Sequence, residues 1–218
     1  MPYTLYESGA KDEKKSEKLQ SSILEGTVVN NCDAPGKQAK VLVRIPSIGE
    51  EVWARLSGPG GGSNGGLFYT PNPDTEVLVG FSGNDLESAY ILNGLWNTQD
   101  SPPVENALTD VPTKRVIRTG LKAGIGHTLE FDDGVNQSVT ITTSTKQKIV
   151  LDKEKIELST TGGSVSITLD LKTQKVSIQA PQIEIGGAKT ASLKLNAAKV
   201  EINGTATTTI KGGVVNIN

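Results

Sequence analysis

The stretch from Ser138 to Gln179, SVTITTSTKQKIVLDKEKIELSTTGGSVSITLDLKTQKVSIQ, decides the fold class. In it an apolar residue, any residue and another apolar residue recur as Val139/Ile141, Ile149/Leu151, Ile156/Leu158, Val165/Ile167 and Val176/Ile178. The pattern runs on through Ile183/Ile185, Leu193/Leu195, Val200/Ile202 and Val215/Ile217, with Ile210 filling the one long gap. Alternation with a period of two marks a strand with one apolar face. The dyads return every ~9.5 residues, the length of a short strand plus a turn. Gly162-Gly163, Gly186-Gly187, Gly204 and Gly212-Gly213 supply turn positions, and flanking threonines favour extended backbone through β-branching. Each strand offers only two side chains to a core, too little to offset the entropy of ordering a single ribbon. The chain must therefore stack, either as a monomeric solenoid or as several chains wound around a shared Ile/Val/Leu axis. The residues leave both open.

Upstream of Phe131 the composition changes. All nine aromatic residues lie at or before Phe131 and nine of ten prolines at or before Pro112, so the two parts are held together by different means. Between residues 22 and 98, short alternating runs are separated by turn residues: Gly26-Thr-Val-Val, Ala39-Lys-Val-Leu-Val-Arg-Ile, Glu51-Val-Trp-Ala-Arg-Leu, Leu67-Phe-Tyr, Glu76-Val-Leu-Val-Gly-Phe and Ala89-Tyr-Ile-Leu. Five or six such strands, with turns at Asp33-Ala-Pro-Gly36 and Asn72-Pro-Asp74, predict a small closed barrel of the OB type. The division is then a tail at 1–21, an OB-fold domain at 22–98, a proline-bearing linker at 99–125 and the dyad-repeat module at 126–218, all-β throughout.

Charge and composition remove several functions. The net charge of the chain is -2, and the barrel stretch holds four basic residues against eight acidic ones, the wrong sign for a phosphate backbone. One cysteine, Cys32, and one histidine, His127, cannot build an intrachain disulfide or a multi-histidine metal site. The first twenty residues carry a charge cluster from Lys11 to Lys18 and no apolar run, so no secretory signal is read and cytoplasmic assembly is expected. That head is either a docking tail or a frayed terminus. No stretch approaches a membrane-spanning length.

The individual motifs favour structure over chemistry. Gly60, Gly62 and Gly65 formally make G-x-G-x-x-G, but a strand ended by proline follows where a dinucleotide fingerprint must open a helix, so a flexible connection is expected. Asp132-Asp133-Gly134 has the chemistry of a tight turn. His127 alternates with Leu129 and Phe131 and is expected to be partly buried, with no nucleophile or second base at readable spacing. Trp53, Phe68, Tyr69 and Phe81 are expected in the barrel core rather than as stacking platforms. Glu154/Glu157 and Glu130/Asp132 are the only carboxylate pairs near enough for glycoside chemistry, and their spacing suits solvated strand faces equally.

Seven segments taken in order carry a family likeness: Gly26-Thr-Val-Val-Asn-Asn, Lys40-Val-Leu-Val-Arg-Ile-Pro46, Trp53-Ala-Arg55, Gly66-Leu-Phe-Tyr-Thr-Pro71, Glu76-Val-Leu-Val-Gly-Phe81, Tyr90-Ile-Leu-Asn-Gly-Leu-Trp-Asn97 and Gly126-His-Thr-Leu-Glu-Phe-Asp-Asp133. Over about residues 22–150 the chain resembles the spike proteins of contractile tails: VgrG of type VI secretion, phage baseplate assembly protein V and the tail needle of large myophages. The resemblance implies a homotrimer whose OB domains form a collar on a baseplate hub. Its C-terminal chains would intertwine as a triangular β-prism that punctures a target envelope, which selects the trimer over the solenoid. The dyads from Val139 to Ile202 would then be the trimer core, and Val214, Val215 and Ile217 a blunt apolar tip for a PAAR-repeat protein. A separate hub protein is expected, because a fused hub would need several hundred residues before Ser22. No catalytic residue, cofactor or metal is expected, since neither a lysozyme-like insertion nor a C-terminal His-x-His is present. The particle could be a phage tail, a tailocin, an extracellular injection device or a secretion system. The competing reading is an OB-fold nucleic-acid-binding protein with a β-rich oligomerisation tail.

Overall fold

The computed structural model describes residues 22–32, 39–83, 85–104, 112–120, 125–186 and 192–216. The tail at 1–21, the turn from Asp33 to Gly36, parts of the linker and Ile217 lie outside the described residues. The chain divides into two units, Met1–Gln179 and Ala180–Asn218.

In the first unit, five strands close into a barrel in the order β1-β2-β3-β5-β4: β1 (Ile23–Asn30), β2 (Lys40–Ile45), β3 (Glu50–Leu56), β4 (Glu76–Phe81) and β5 (Ala89–Gly94). Neighbours are antiparallel except β3 and β5, which run parallel with Arg55 opposite Tyr90 and Leu56 opposite Ile91. Alternation decides the inside. Val41, Val43 and Ile45 of β2 are fully buried, as are Val77 and Val79 of β4, while Leu42 and Leu78 between them are only half-buried. Gly26 lets β1 cross closely over β2, since a Cβ there would lie 2.5 Å from Val43 Cγ1 and 2.7 Å from Ile45 Cδ1. Asp74 takes the left-handed conformation that its turn demands, with φ 65°.

Leu67-Phe-Tyr, expected as a strand, is not one. Every barrel strand already has two neighbours, so no edge remains for it to pair with. Phe68 and Tyr69 are correspondingly exposed rather than in the core, whereas Phe81 is buried and Trp53 half-buried.

Beyond the barrel, seven strands form one antiparallel sheet in strict chain order: β6 (Lys114–Arg118), β7 (Thr128–Asp132), β8 (Ser138–Thr142), β9 (Lys148–Leu151), β10 (Lys155–Ser159), β11 (Ser166–Asp170) and β12 (Lys175–Gln179). β6 falls inside the segment read as linker. Its run Lys-Arg-Val-Ile-Arg has no clean alternation; it pairs with β7 over five residues, and the Lys114–Glu130 pair at 3.0 Å and the Arg115–Asp133 pair lie across the junction. The strand reversals use local chemistry. Asp132 Oδ1 accepts the Gly134 N–H at 2.9 Å, so Asp132-Asp133-Gly134 is a turn. Asp152 Oδ1 accepts the N–H groups of Glu154 and Lys155 at 2.8 Å each, and Asp170 Oδ1 that of Thr173 at 2.8 Å. A single 3-10 turn at Thr161–Gly163 carries the β10–β11 reversal on Gly162 and Gly163, both at positive φ.

The second unit differs from expectation. The dyads Ile183/Ile185, Leu193/Leu195 and Val200/Ile202, and Ile210, form no strand within the chain among the described residues. A ribbon two apolar residues wide gains too little burial by itself to hold strand order.

Two outcomes follow from this architecture. Gly26→Ala should destabilise the barrel by about 1–3 kcal/mol through overpacking, read as a lowered unfolding midpoint in denaturant. The second concerns acid. The N–H groups of Glu154 and Lys155 hold the Asp152 carboxyl below its ordinary value of 3.8, that of Thr173 does the same for Asp170, and that of Glu87 with the Ser88 hydroxyl does so for Asp85. A depressed folded value gives stability that is present above the ordinary value and lost as pH falls through the depressed one. Amide protection at Lys155 and Thr173 should therefore drop as pH falls from about 5 to about 2, and Asp152→Ala should abolish the drop at Lys155.

Candidate functional site

The sheet register concentrates the apolar residues on one face. Ile117, Leu129, Ile141, Ile149, Leu158, Ile167 and Ile178 stand opposite one another from β6 to β12 as one continuous ladder. Two residues along each strand runs a second ladder of Phe131, Val139, Leu151, Ile156, Leu169 and Val176. Because side chains alternate between the faces, the row between them, Val116, Glu130, Thr140, Val150, Glu157, Thr168 and Ser177, points to the other side. One face is thus hydrocarbon and the other is largely polar.

Among the described residues of the first unit, none covers the hydrocarbon face fully. Ile117, Phe131, Ile141, Leu151, Leu158, Ile167, Leu169, Val176 and Ile178 are exposed, and Leu129, Val139, Ile149 and Ile156 are half-buried. A shallow depression of about 320 Å³ lies on this face, lined by Ile141, Ile149, Leu158, Val165 and Ile167 with the polar ends of their strands. On the polar face Lys155 pairs with Glu157, and this bond raises the lysine and lowers the carboxyl from their ordinary values. The Glu130 carboxylate likewise raises Lys114. Both acidic pairs weighed for glycoside chemistry therefore have one member, Glu130 or Glu157, held by a lysine.

The residues singled out from the dyads divide in two. Val139, Ile141, Ile149, Leu151, Ile156, Leu158, Ile167, Val176 and Ile178 share the one face in register, and Val165 lies just before β11 beside the depression. In the second unit Ile183, Ile185, Leu193, Leu195, Val200, Ile202, Val214 and Val215 are all exposed. The dyad template missed Leu169, although Val165, Ile167, Leu169 and Leu171 alternate in the sequence and the ladder uses the middle two. It also missed Ile117 and began a strand too late by omitting Leu129/Phe131.

His127, expected to be partly buried, is exposed; its backbone N–H donates to Thr119 Oγ1 at 2.9 Å and its Nδ1 accepts the Ser144 N–H at 3.3 Å. It precedes β7, where the chain still follows the β6–β7 connection, so strand alternation does not yet govern it. Among the described residues no three His, Cys, Asp or Glu side chains are grouped to hold a metal ion. The glycine-rich loop opens no helix: Gly62 and Gly65 form a bridge and the Leu67 N–H returns to the Pro59 carbonyl at 3.0 Å.

No curated protein matches the chain. Residues 24–96, about a third of the chain, match the family described as the type VI secretion system/phage-baseplate injector OB domain, and they coincide with the closed barrel. The barrel is thus similar to the injector OB domains of type VI secretion systems and phage baseplates, a likeness that points to a baseplate-associated structural role.

Proposed function

We propose that this protein is the central spike of a contractile injection apparatus, a homotrimer seated on a separate baseplate hub, that punctures a target envelope and carries a PAAR-like tip protein. The observation that carries the reading is the apolar face of the seven-stranded sheet, following directly on an injector OB domain. Three such faces turned inward would cover one another and leave the polar faces to solvent. The dyads after Gln179 would continue the same core, their strands supplied by chains winding together. With one chain to a face, the seven strands of the sheet and five more at the later dyads give roughly 58 Å of prism at ~4.8 Å per strand. Hydrogen bonds along the long axis and an interlocked apolar core would resist local opening under axial load.

In this reading the role is mechanical and not enzymatic, with assembly in the cytoplasm and action in a phage-like or envelope-attached particle. The nucleic-acid alternative gains nothing from the barrel, whose stretch 22–98 carries four basic and eight acidic residues.

Native mass tests the assembly: about three times the 23.0 kDa chain supports it, and a monomer rejects it. Ile178→Asp would bury three like charges per trimer and should abolish the trimer. Ser177→Asp on the polar face, opposite Thr168, should leave it intact. Equal assembly of the two variants would contradict an inward apolar face. A chain ended after Gly212 should still trimerise, yet lose a PAAR-like partner in pull-downs from producing cells. Full retention of that partner would refute the tip assignment to Val214, Val215 and Ile217.

A further inference from the structure

The connection from β3 to β4 is the part of the barrel that the fold does not use. Residues 57–73 contain no charged side chain, in a domain with twice as many acidic as basic residues. The loop nevertheless has a defined shape. Gly61 N–H donates to the Gly58 carbonyl at 3.1 Å, and Leu67 N–H to that of Pro59 at 3.0 Å. Close approach dictates the glycines: a Cβ on Gly58 would lie 2.2 Å from the Leu67 carbonyl oxygen, and one on Gly66, at φ 119°, would lie 2.8 Å from that of Gly60. Further along, Asn31 Nδ2 donates to the Pro71 carbonyl at 3.0 Å and Asn72 Nδ2 to the Gly120 carbonyl at 2.6 Å.

Between these anchors Leu67, Phe68 and Tyr69 are 61%, 71% and 54% exposed. Three consecutive large apolar residues, uncovered on a pinned loop, mark an interaction surface. Its position names the occupant. The Tyr69 hydroxyl approaches the Arg118 carbonyl to 3.5 Å, and Arg118 follows Ile117, the exposed first rung of the long apolar ladder. Tyr69 thus lies beside β6, next to the end rung of that ladder, so a chain covering the face out to β6 comes within reach of the loop. Acidic barrels in one assembly repel each other, and a loop without charges is where they can touch without opposing like charges.

We infer that residues 67–69 dock against a second copy of this chain at the level of β6. The glycine-rich loop is then a collar contact that fixes each barrel against its neighbour, and the inference rests on the trimer reading above. The experiment places a photoreactive benzoylphenylalanine at Phe68 in the full purified chain, with the same probe at exposed Glu87 as control. Irradiation should give denaturant-resistant dimers and trimers from position 68 and none from position 87. Phe68→Ser should in addition speed subunit exchange about tenfold, the effect of losing one interface anchor, with trimer mass retained. A trimer by native mass that yields no chain-to-chain crosslink from position 68 overturns this contact and leaves the trimer standing. A monomeric mass overturns both.

Discussion

The register of the β6–β12 ladder is the constraint from which the rest follows. From β7 to β12 each antiparallel pairing puts two apolar residues opposite two others, so two hydrocarbon rows form on one side of the sheet and none on the other; at β6 only Ile117 continues them, since Arg115 stands opposite Phe131. A one-residue slip in any pair would turn that strand's Ile and Leu residues to the polar side, which makes the register strongly specified wherever the face is covered. In the single chain the face is exposed or half-buried along its length, a continuous apolar surface of the kind that marks an interaction site. The barrel satisfies the opposite condition, because closure leaves it no strand edge and its valines saturate their own interior. The chain therefore combines a self-sufficient domain with one whose burial is incomplete.

Much of this was legible in the residues. Val41, Val43 and Ile45 read directly as the inward face of a barrel strand, and the dyads from Val139 to Val176/Ile178 read directly as strands, because alternation is a local property. What escaped depended on partners. β6 has no alternation of its own and is a strand by pairing with β7 over five residues, Ile117 standing opposite Leu129. Leu67-Phe-Tyr has the composition of a strand but no neighbour to pair with. Val165/Ile167 lies on the right face but two residues early, since the choice of Ile167/Leu169 is made by the rungs of β10 and β12.

The site was less legible than the fold. Nothing in the dyads alone tells a ribbon that covers itself from one that needs a second chain, and the exposure of the ladder became visible only once the strands were laid side by side. Phe68 and Tyr69 show the same limit. Aromatic residues in a barrel sequence are ordinarily core, and only the closure of the sheet displaces these two to the surface.

The strict chain order of the sheet has a further consequence for how it can change length. Each strand touches only its sequence neighbours, so strands can be gained or lost locally, but one alone would reverse the direction of everything after it. Removing β10 and β11 together would bring β9 beside β12 with the antiparallel sense kept, Ile149 facing Ile178 and Leu151 facing Val176. The length of the sheet is thus counted in hairpins, in steps of about 9–10 Å, and any insertion that respects this parity preserves both hydrocarbon rows.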